Sequence, residues 1–512
     1  MTVWTEQNGW DLPAALNMAH EVCDRWAETE PERLAIIDAP TGQQVTFGQL
    51  RQMADALAHG LHARGVRPGD RVGVLRTQHP WTAAGHIAVW KLGAISIPLF
   101  VLFGEDGLKV RLQDADVACV ITDAEGAGRV QALGFDAVVP EADLNPEAVS
   151  HTAPFATADT GPEDPAVLIY TSGTTGAPKG ALHGHRVLRG HLPGVEISHD
   201  HLPQPGDVLW TPADWAWIGG LFDVLMPGLW HGVPVVAARF DKFTPEACAA
   251  LISAHKVRNV FFPPTALRML KAADMHVPGL RSVASGGEPL GPEMLAWGRK
   301  AFGLSINEFY GQTECNMIVS SCHSAFSVEP GAMGRPVPGH EVTVLNADAA
   351  GEGDIAVRRG SASMMLRYWN RPEATAKKFA DDWLLTGDRG IKEPSGAIRF
   401  QGREDDVITS AGYRIGPAEI EDCLITHPDV VSAGVIGQPD AERTQIVVAC
   451  VVLRAGATGS DALADTLAAL VKTRLGAHEY PRKVVFLPEL PMTVTGKIRR
   501  GALRAMLQGE VL

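Results

Sequence analysis

The chain has 512 residues, 46% of them hydrophobic and 20% charged, and 45 basic against 59 acidic side chains leave a formal net charge of −14. That length exceeds one ordinary core, so a large body of several subdomains and a separate smaller domain are expected. The acidic balance argues against a nucleic-acid binder, because a phosphate backbone requires a basic face.

The opening segment, MTVWTEQNGWDLP, lacks the basic-then-apolar pattern of a secretory leader. Thr46 and Gln49 form a capping box ahead of Leu50, Met53, Ala54, Leu57 and Leu61 at helical spacing, and Gly65 supplies a stop. Residues 70–75 read as a strand, 81–92 as a helix, 94–99 as a strand, 107–113 as a helix and 118–122 as a strand. The apolar run 87–103 contains Lys91 and Pro98, which suits a buried helix passing into a buried strand rather than a membrane span. This αβ alternation implies sheets covered by helices, and it resumes from Val208 to about Phe309. From about Val342 the texture turns to short β-like pieces at 341–345 and 354–358. A charged turn at 402–406 then precedes strand candidates 431–436, 446–453 and 484–487 and a helix candidate at 462–475. The expected fold is α/β: an N-terminal body of αβ-layered subdomains plus a β-rich subdomain over 1–404, and a small mobile α+β domain over 405–512. Seven scattered cysteines without a CxxC pair fit neither a disulfide framework nor a zinc site, and suit a reducing cytoplasm.

The strongest chemical signal is Tyr170-Thr-Ser-Gly-Thr-Thr-Gly-Ala-Pro-Lys-Gly180. Backbone N–H groups and hydroxyls of Thr171, Ser172, Gly173, Thr174, Thr175 and Gly176 can approach phosphate oxygens, with Lys179 adding charge. The spacing is not GxxxxGK[ST], so this is not the usual P-loop. Apolar residues 167–170 read as a buried strand aimed into the loop.

This loop resembles the phosphate-binding signature of the adenylate-forming superfamily. Further segments match it in order: Ser285-Gly-Gly-Glu-Pro289, Glu308-Phe-Tyr-Gly-Gln-Thr-Glu314, Leu385-Thr-Gly-Asp388, Gly402-Arg-Glu-Asp-Asp406, Ala411-Gly-Tyr-Arg-Ile-Gly416 and Pro491-Met-Thr-Val-Thr-Gly-Lys497. The chain looks most similar to medium-chain acyl-CoA synthetases. The resemblance implies an AMP-forming ligase that joins a carboxylic acid to coenzyme A through an acyl-adenylate, using ATP and Mg²⁺. It places Gly287, Glu288 and Pro289 at the adenine and Glu308, Phe309, Tyr310, Gly311, Gln312 and Thr313 along the nucleotide. Glu314 would hold Mg²⁺, Asp388 and Arg403 would serve the ribose, and Arg414 the phosphates. Lys497 would drive adenylation, with Thr171 and Lys179 assisting it. Asp405 matches a hinge about which the C-terminal domain rotates, and Ala411, Gly412 and Tyr413 would border the pantetheine channel. Arg443 and Lys472 are candidates for the CoA phosphates or solvated surface charges. Gly286 and Gly311 stand where acetate-specific relatives carry larger side chains, and Trp215 and Trp217 either shape the far wall or belong to the core. A short-to-medium-chain, branched or aromatic acid is therefore expected. The lysine motif also resembles a pattern read by protein acetyltransferases, which would make Lys497 a regulated site.

Other patterns point elsewhere less well. His183, His185, His191, His199 and His201 are dense but lack helix-type ligand spacing. Residues 351–356 mimic a dinucleotide fingerprint, yet β-like flanks favour a turn before a strand. No GxSxG elbow is present. Two alternatives remain open at this point: a stand-alone enzyme loading a carrier protein, and a non-catalytic nucleotide-binding regulator.

Overall fold

The capping box at Thr46 opens the helix Phe47–Ala63: the Thr46 hydroxyl accepts from Gln49 N, and the Gln49 side chain accepts from Thr46 N. Two helix-end donors are thereby satisfied reciprocally. A computed structural model of the chain describes residues 3–144, 149–171, 178–240, 242–329, 331–403, 406, 408–410, 413–440, 443–475, 479–493 and 496–508.

Around that helix stands a seven-stranded sheet. Its parallel centre is Arg71–Leu75 between Ile95–Pro98 and Cys119–Thr122. Alternate side chains go to opposite faces, as strand pleating requires. Ile95, Ile97 and Val120 pack with Leu108 and Leu112 on one side, while Val72, Val74 and Ile121 pack with Leu57, Leu61 and Val89 on the other. Helices on both faces explain why these strands read as unbroken apolar runs. The sheet continues through Pro165–Thr171 into the antiparallel partner Lys179–Gly184 and then Arg367–Tyr368.

A second sheet of fourteen strands carries the site. Its parallel half includes Leu34–Asp38, Val235–Ala237, Leu209–Trp210, Asn259–Phe261, Ser282–Gly286 and Ile306–Gln312. At Cys315–Ser320 the direction reverses, and Ala332–Pro336, Ile398–Arg403, Trp383–Lys392 and Glu352–Arg358 follow antiparallel. The short β-like pieces read after Val342 join the parallel half in one sheet. The large core between the two sheets gathers Ile87, Trp90, Ile169, Leu192, Phe222, Ala284 and Phe309. The chain then forms a separate five-stranded sheet from Ile408–Ser410, Tyr413–Ile415, Val430–Asp440, Thr444–Leu453 and Lys483–Phe486. Helices Pro417–Ile425 and Asp461–Arg474 cover it, burying Ile420, Leu424, Leu467 and Val471 against Val435 and Ala449. Among the described residues no helix is long and apolar enough to cross a membrane.

Candidate active site

In open α/β sheets ligands gather beyond the carboxyl ends of parallel strands. Here Ser282–Gly286 and Ile306–Gln312 run side by side, pairing Gly286 with Phe309. Beyond their ends, Gly287 and Glu288 join Trp217 and Thr265 around a cavity of ≈ 10 Å³ that Gly496 and Lys497 close from the C-terminal side. That is room for about one water molecule. Gly287 has φ +103°, and a Cβ there would lie 3.4 Å from the Trp217 ring and 3.9 Å from Lys497 Cε. Gly496 has φ +81°, and a Cβ there would stand 2.8 Å from Thr265 Cγ2. Two left-handed glycines thus let the two parts of the chain approach closely. Lys497 keeps contact with solvent at this mouth. The protein crowding its amine lowers the ammonium pKa from the usual lysine range, opposed by Glu288, Asp388 and Glu314, with Arg403 lowering it further.

Thr171 and Lys179 face each other across the hairpin that leads into the glycine-rich loop; Ser172, Gly173, Thr174, Thr175 and Gly176 lie outside the described residues. The Lys179 ammonium lies 5.7 Å from the Tyr368 ring centre. Tyr368, paired with Ala181 on the neighbouring strand, donates its hydroxyl to Glu314 Oε1 at 2.5 Å. Met365 N donates to the Glu314 backbone carbonyl at 2.8 Å. Glu314 is therefore fixed at both its main chain and its carboxylate. Among the described residues no group of three or more His, Cys, Asp or Glu makes a metal cage. A single oriented carboxylate suits Mg²⁺, a hard cation that commonly combines one or two carboxylates with substrate phosphates. Tyr368 has no recognisable local motif; only the strand pairing reveals it.

Asp388 and Arg403 are register partners on adjacent strands, with Arg403 Nε 3.9 Å from Asp388 Oδ1. Asp388 Oδ2 accepts from the Tyr310 hydroxyl at 2.5 Å and from Gln312 Nε2 at 2.7 Å. Lys378 Nζ in turn donates to Gln312 Oε1 at 3.2 Å and to Thr386 O at 3.0 Å. Burial raises the Asp388 carboxyl, opposed by Tyr310, Arg403 and Gln312. Glu308 is also buried: burial pushes its carboxyl up to about 7, although Leu290 N donates to Oε1 at 3.1 Å. Glu288 pairs with Arg268 at 2.6 Å, and Pro289 follows it on the loop before the helix Gly291–Phe302.

At the two glycines expected to line the acyl pocket, neighbouring groups approach closely. A Cβ at Gly286 would lie 2.5 Å from the Phe309 ring, so Phe309 fills that space. A Cβ at Gly311 would lie 2.5 Å from both Asn316 Oδ1 and Met317 N. Trp215 is wholly buried in the large core, whereas Trp217 lines the cavity and packs on Phe261 at 5.5 Å. Of the CoA candidates, Ala411 and Gly412 lie outside the described residues, as do the side chains of Tyr413 and Arg414 on their strand. Arg443 N donates to Asp440 Oδ1 at 2.9 Å, and the Lys472 ammonium sits 5.5 Å from the Tyr480 ring centre. The hinge candidate Asp405 is likewise outside the described residues; its neighbour Asp406 pairs with Arg500 at 3.4 Å and Arg504 at 3.0 Å. His183, His185, His191 and His199 are buried, and burial lowers all four pKa values.

Residues 23–369 match the AMP-binding enzyme family, and 419–497 match the AMP-binding enzyme C-terminal domain. The acetyl-coenzyme A synthetase of Bacillus subtilis is 33% identical, over 96% of this chain and 90% of its own length. The mitochondrial acyl-coenzyme A synthetase ACSM2 of Rattus norvegicus is 32% identical, over 97% and 92%. The structure of ATP-bound MatB from Rhodopseudomonas palustris superposes with a TM-score of 0.86 at 27% identity, over 96% of this chain and 99% of that one. The chain belongs to the AMP-binding enzyme family, and within it to the AMP-forming acyl-CoA synthetases, acid–thiol ligases that use ATP, Mg²⁺ and coenzyme A.

Proposed function

We propose that this ligase activates a compact carboxylic acid in the cytoplasm, with Lys497 as the residue that makes the first half-reaction possible. The convergence of Lys497 on Gly287 and Glu288 carries this reading. A carboxylate must attack the α-phosphorus of ATP, so two anions have to be held together and in line. Lys497 and Lys179 supply positive charge, and the backbone and hydroxyls of the Thr171–Lys179 loop supply donors. Mg²⁺ at Glu314 would neutralise further phosphate charge when bound. Asp388, with one oxygen taken by Tyr310 and Gln312, retains acceptor capacity for ribose hydroxyls. No general base is needed, because a simple carboxylic acid is already ionised at neutral pH.

The thioester step needs a thiol path instead of the lysine. Rotation about Asp405 would withdraw Lys497 and bring Ala411, Gly412 and Tyr413 toward the acyl carbon, with Arg443 and Lys472 near the CoA phosphates. Neutralising Lys497 by a protein acetyltransferase would then stop adenylation. The filled space beside Gly286 favours short acids over medium-chain ones. Seven free, buried cysteines support a cytoplasmic setting. The test is pyrophosphate release over a graded set of acids, with and without CoA. Acid-dependent pyrophosphate with CoA-dependent AMP release is expected; a preference rising steadily to octanoate would refute the short-acid reading.

A further inference from the structure

Behind Gly311 lies a buried polar pair that the nucleotide chemistry does not use. Asp223, 2% exposed, sits on the helical segment Leu221–Leu225, a few residues after the cavity-lining Trp217. Asn316, 5% exposed, lies two residues beyond Glu314 on Cys315–Ser320. Asn316 Nδ2 donates to both Asp223 oxygens at 2.9 Å. Both bonds put the nitrogen end of the carboxamide toward Asp223. The amide oxygen must point the other way. It does so over Gly311, 2.5 Å from where a Cβ would stand. Gly311 itself is half-buried, with part of its surface open. Any larger residue at 311 would collide with this acceptor.

An acceptor aimed at Gly311, where the acyl pocket is expected, can take a hydrogen bond from a donor carried by the substrate. We infer that Asn316 Oδ1 is a specificity-determining acceptor for a short acid bearing a hydroxyl or ammonium donor beyond its carboxylate, with Asp223 as the positioning residue that holds the amide. Burial pushes the Asp223 carboxyl well up, with only Asn316 opposing. The inference rests on the proposed ligase site and names the substrate class for it. An alkyl acid of equal length would fill the same space but leave Asn316 Oδ1 without a donor. Sites built to hydrogen-bond a substrate reject analogues that lack the group far more strongly than apolar pockets reject a missing methylene.

The experiment uses pairs of matched size: butyrate against 3-hydroxypropionate and β-alanine, and pentanoate against 4-hydroxybutyrate and 4-aminobutyrate. The readout is the kcat/KM ratio within each pair, from pyrophosphate release by the full chain. The polar member should be preferred at least tenfold in one pair. Asn316→Leu and Asp223→Leu should each lower that ratio at least tenfold. Asp223→Asn, which retains an acceptor for Asn316 Nδ2, should keep the hydroxy-acid ratio within about threefold of the parent and so guards against simple misfolding. Alkyl acids turned over equally well or better, or ratios unmoved by the leucine variants, would overturn the inference while leaving the ligase reading standing. Absence of acid-dependent pyrophosphate from every member would refute both.

Discussion

Replacing Lys497 with alanine should separate the two half-reactions. The ammonium stands where Gly287 and Glu288 meet Trp217, and it retains solvent contact, so an effective dielectric nearer 20 than 4 applies. At ~4 Å a unit charge pair is then worth about 4 kcal/mol, which corresponds to roughly 10³-fold in rate. Lys497→Ala should therefore slow acid-dependent ATP–pyrophosphate exchange by about that factor. Thioester formation from supplied acyl-adenylate and CoA should change less than about fivefold, because no new charge is placed between two anions there. The working form is the protonated amine, and its surroundings lower its pKa. Adenylation should thus fall on the alkaline side earlier than an ordinary lysine would dictate, and Lys497→Arg should move that limb upward. Equal loss of both half-reactions, or a variant retaining a tenth of the exchange rate, would refute the reasoning.

Tyr368→Phe removes the hydroxyl that orients Glu314 but keeps the ring beside Lys179; the Mg²⁺ concentration for half-maximal adenylation should rise roughly tenfold, the scale of one hydrogen bond to a charged group. Arg500→Met leaves Glu421, whose side chain is 12% exposed, without its 2.7 Å partner, and should cost about 3–5 kcal/mol of C-terminal domain stability in denaturant unfolding. Glu308→Gln should stabilise the protein by up to ~3 kcal/mol at pH 8. The raised Glu308 pKa of about 7 means its contribution is present below its ordinary value near 4.5 and lost as pH rises through about 7, so the advantage should vanish by pH 4; a pH-independent difference in thermal midpoint would contradict it. Acetylation of Lys497, checked by mass spectrometry and exchange assay, should reproduce the alanine variant's loss of adenylation.

What the sequence discloses and what it withholds divide along a physical line. Local geometry is legible wherever one stretch of chain satisfies its own needs. Thr46 and Gln49 announce the helix Phe47–Ala63, and the apolar run before Thr171 announces a buried strand, because capping and burial are written within a few residues. The glycine-rich loop, Glu314, Asp388 and Lys497 are legible for another reason: each lies in a short motif that a known superfamily shares. Partners supplied by distant segments are not legible. Tyr368 reaches Glu314 across 54 positions and Tyr310 reaches Asp388 across 78, and neither distance leaves a period or spacing to detect. The glycines show the limit most sharply. From sequence, Gly286 and Gly311 look like absent side chains and therefore like room for substrate. In the structure one absence is filled by Phe309 and the other by the Asn316 amide that Asp223 holds. A glycine records that something approaches closely, but only tertiary packing says whether it is an aromatic ring, a polar group or the ligand. What meets these two glycines is Phe309, Asn316 and, through Asn316, Asp223, three residues whose local sequence advertises none of this.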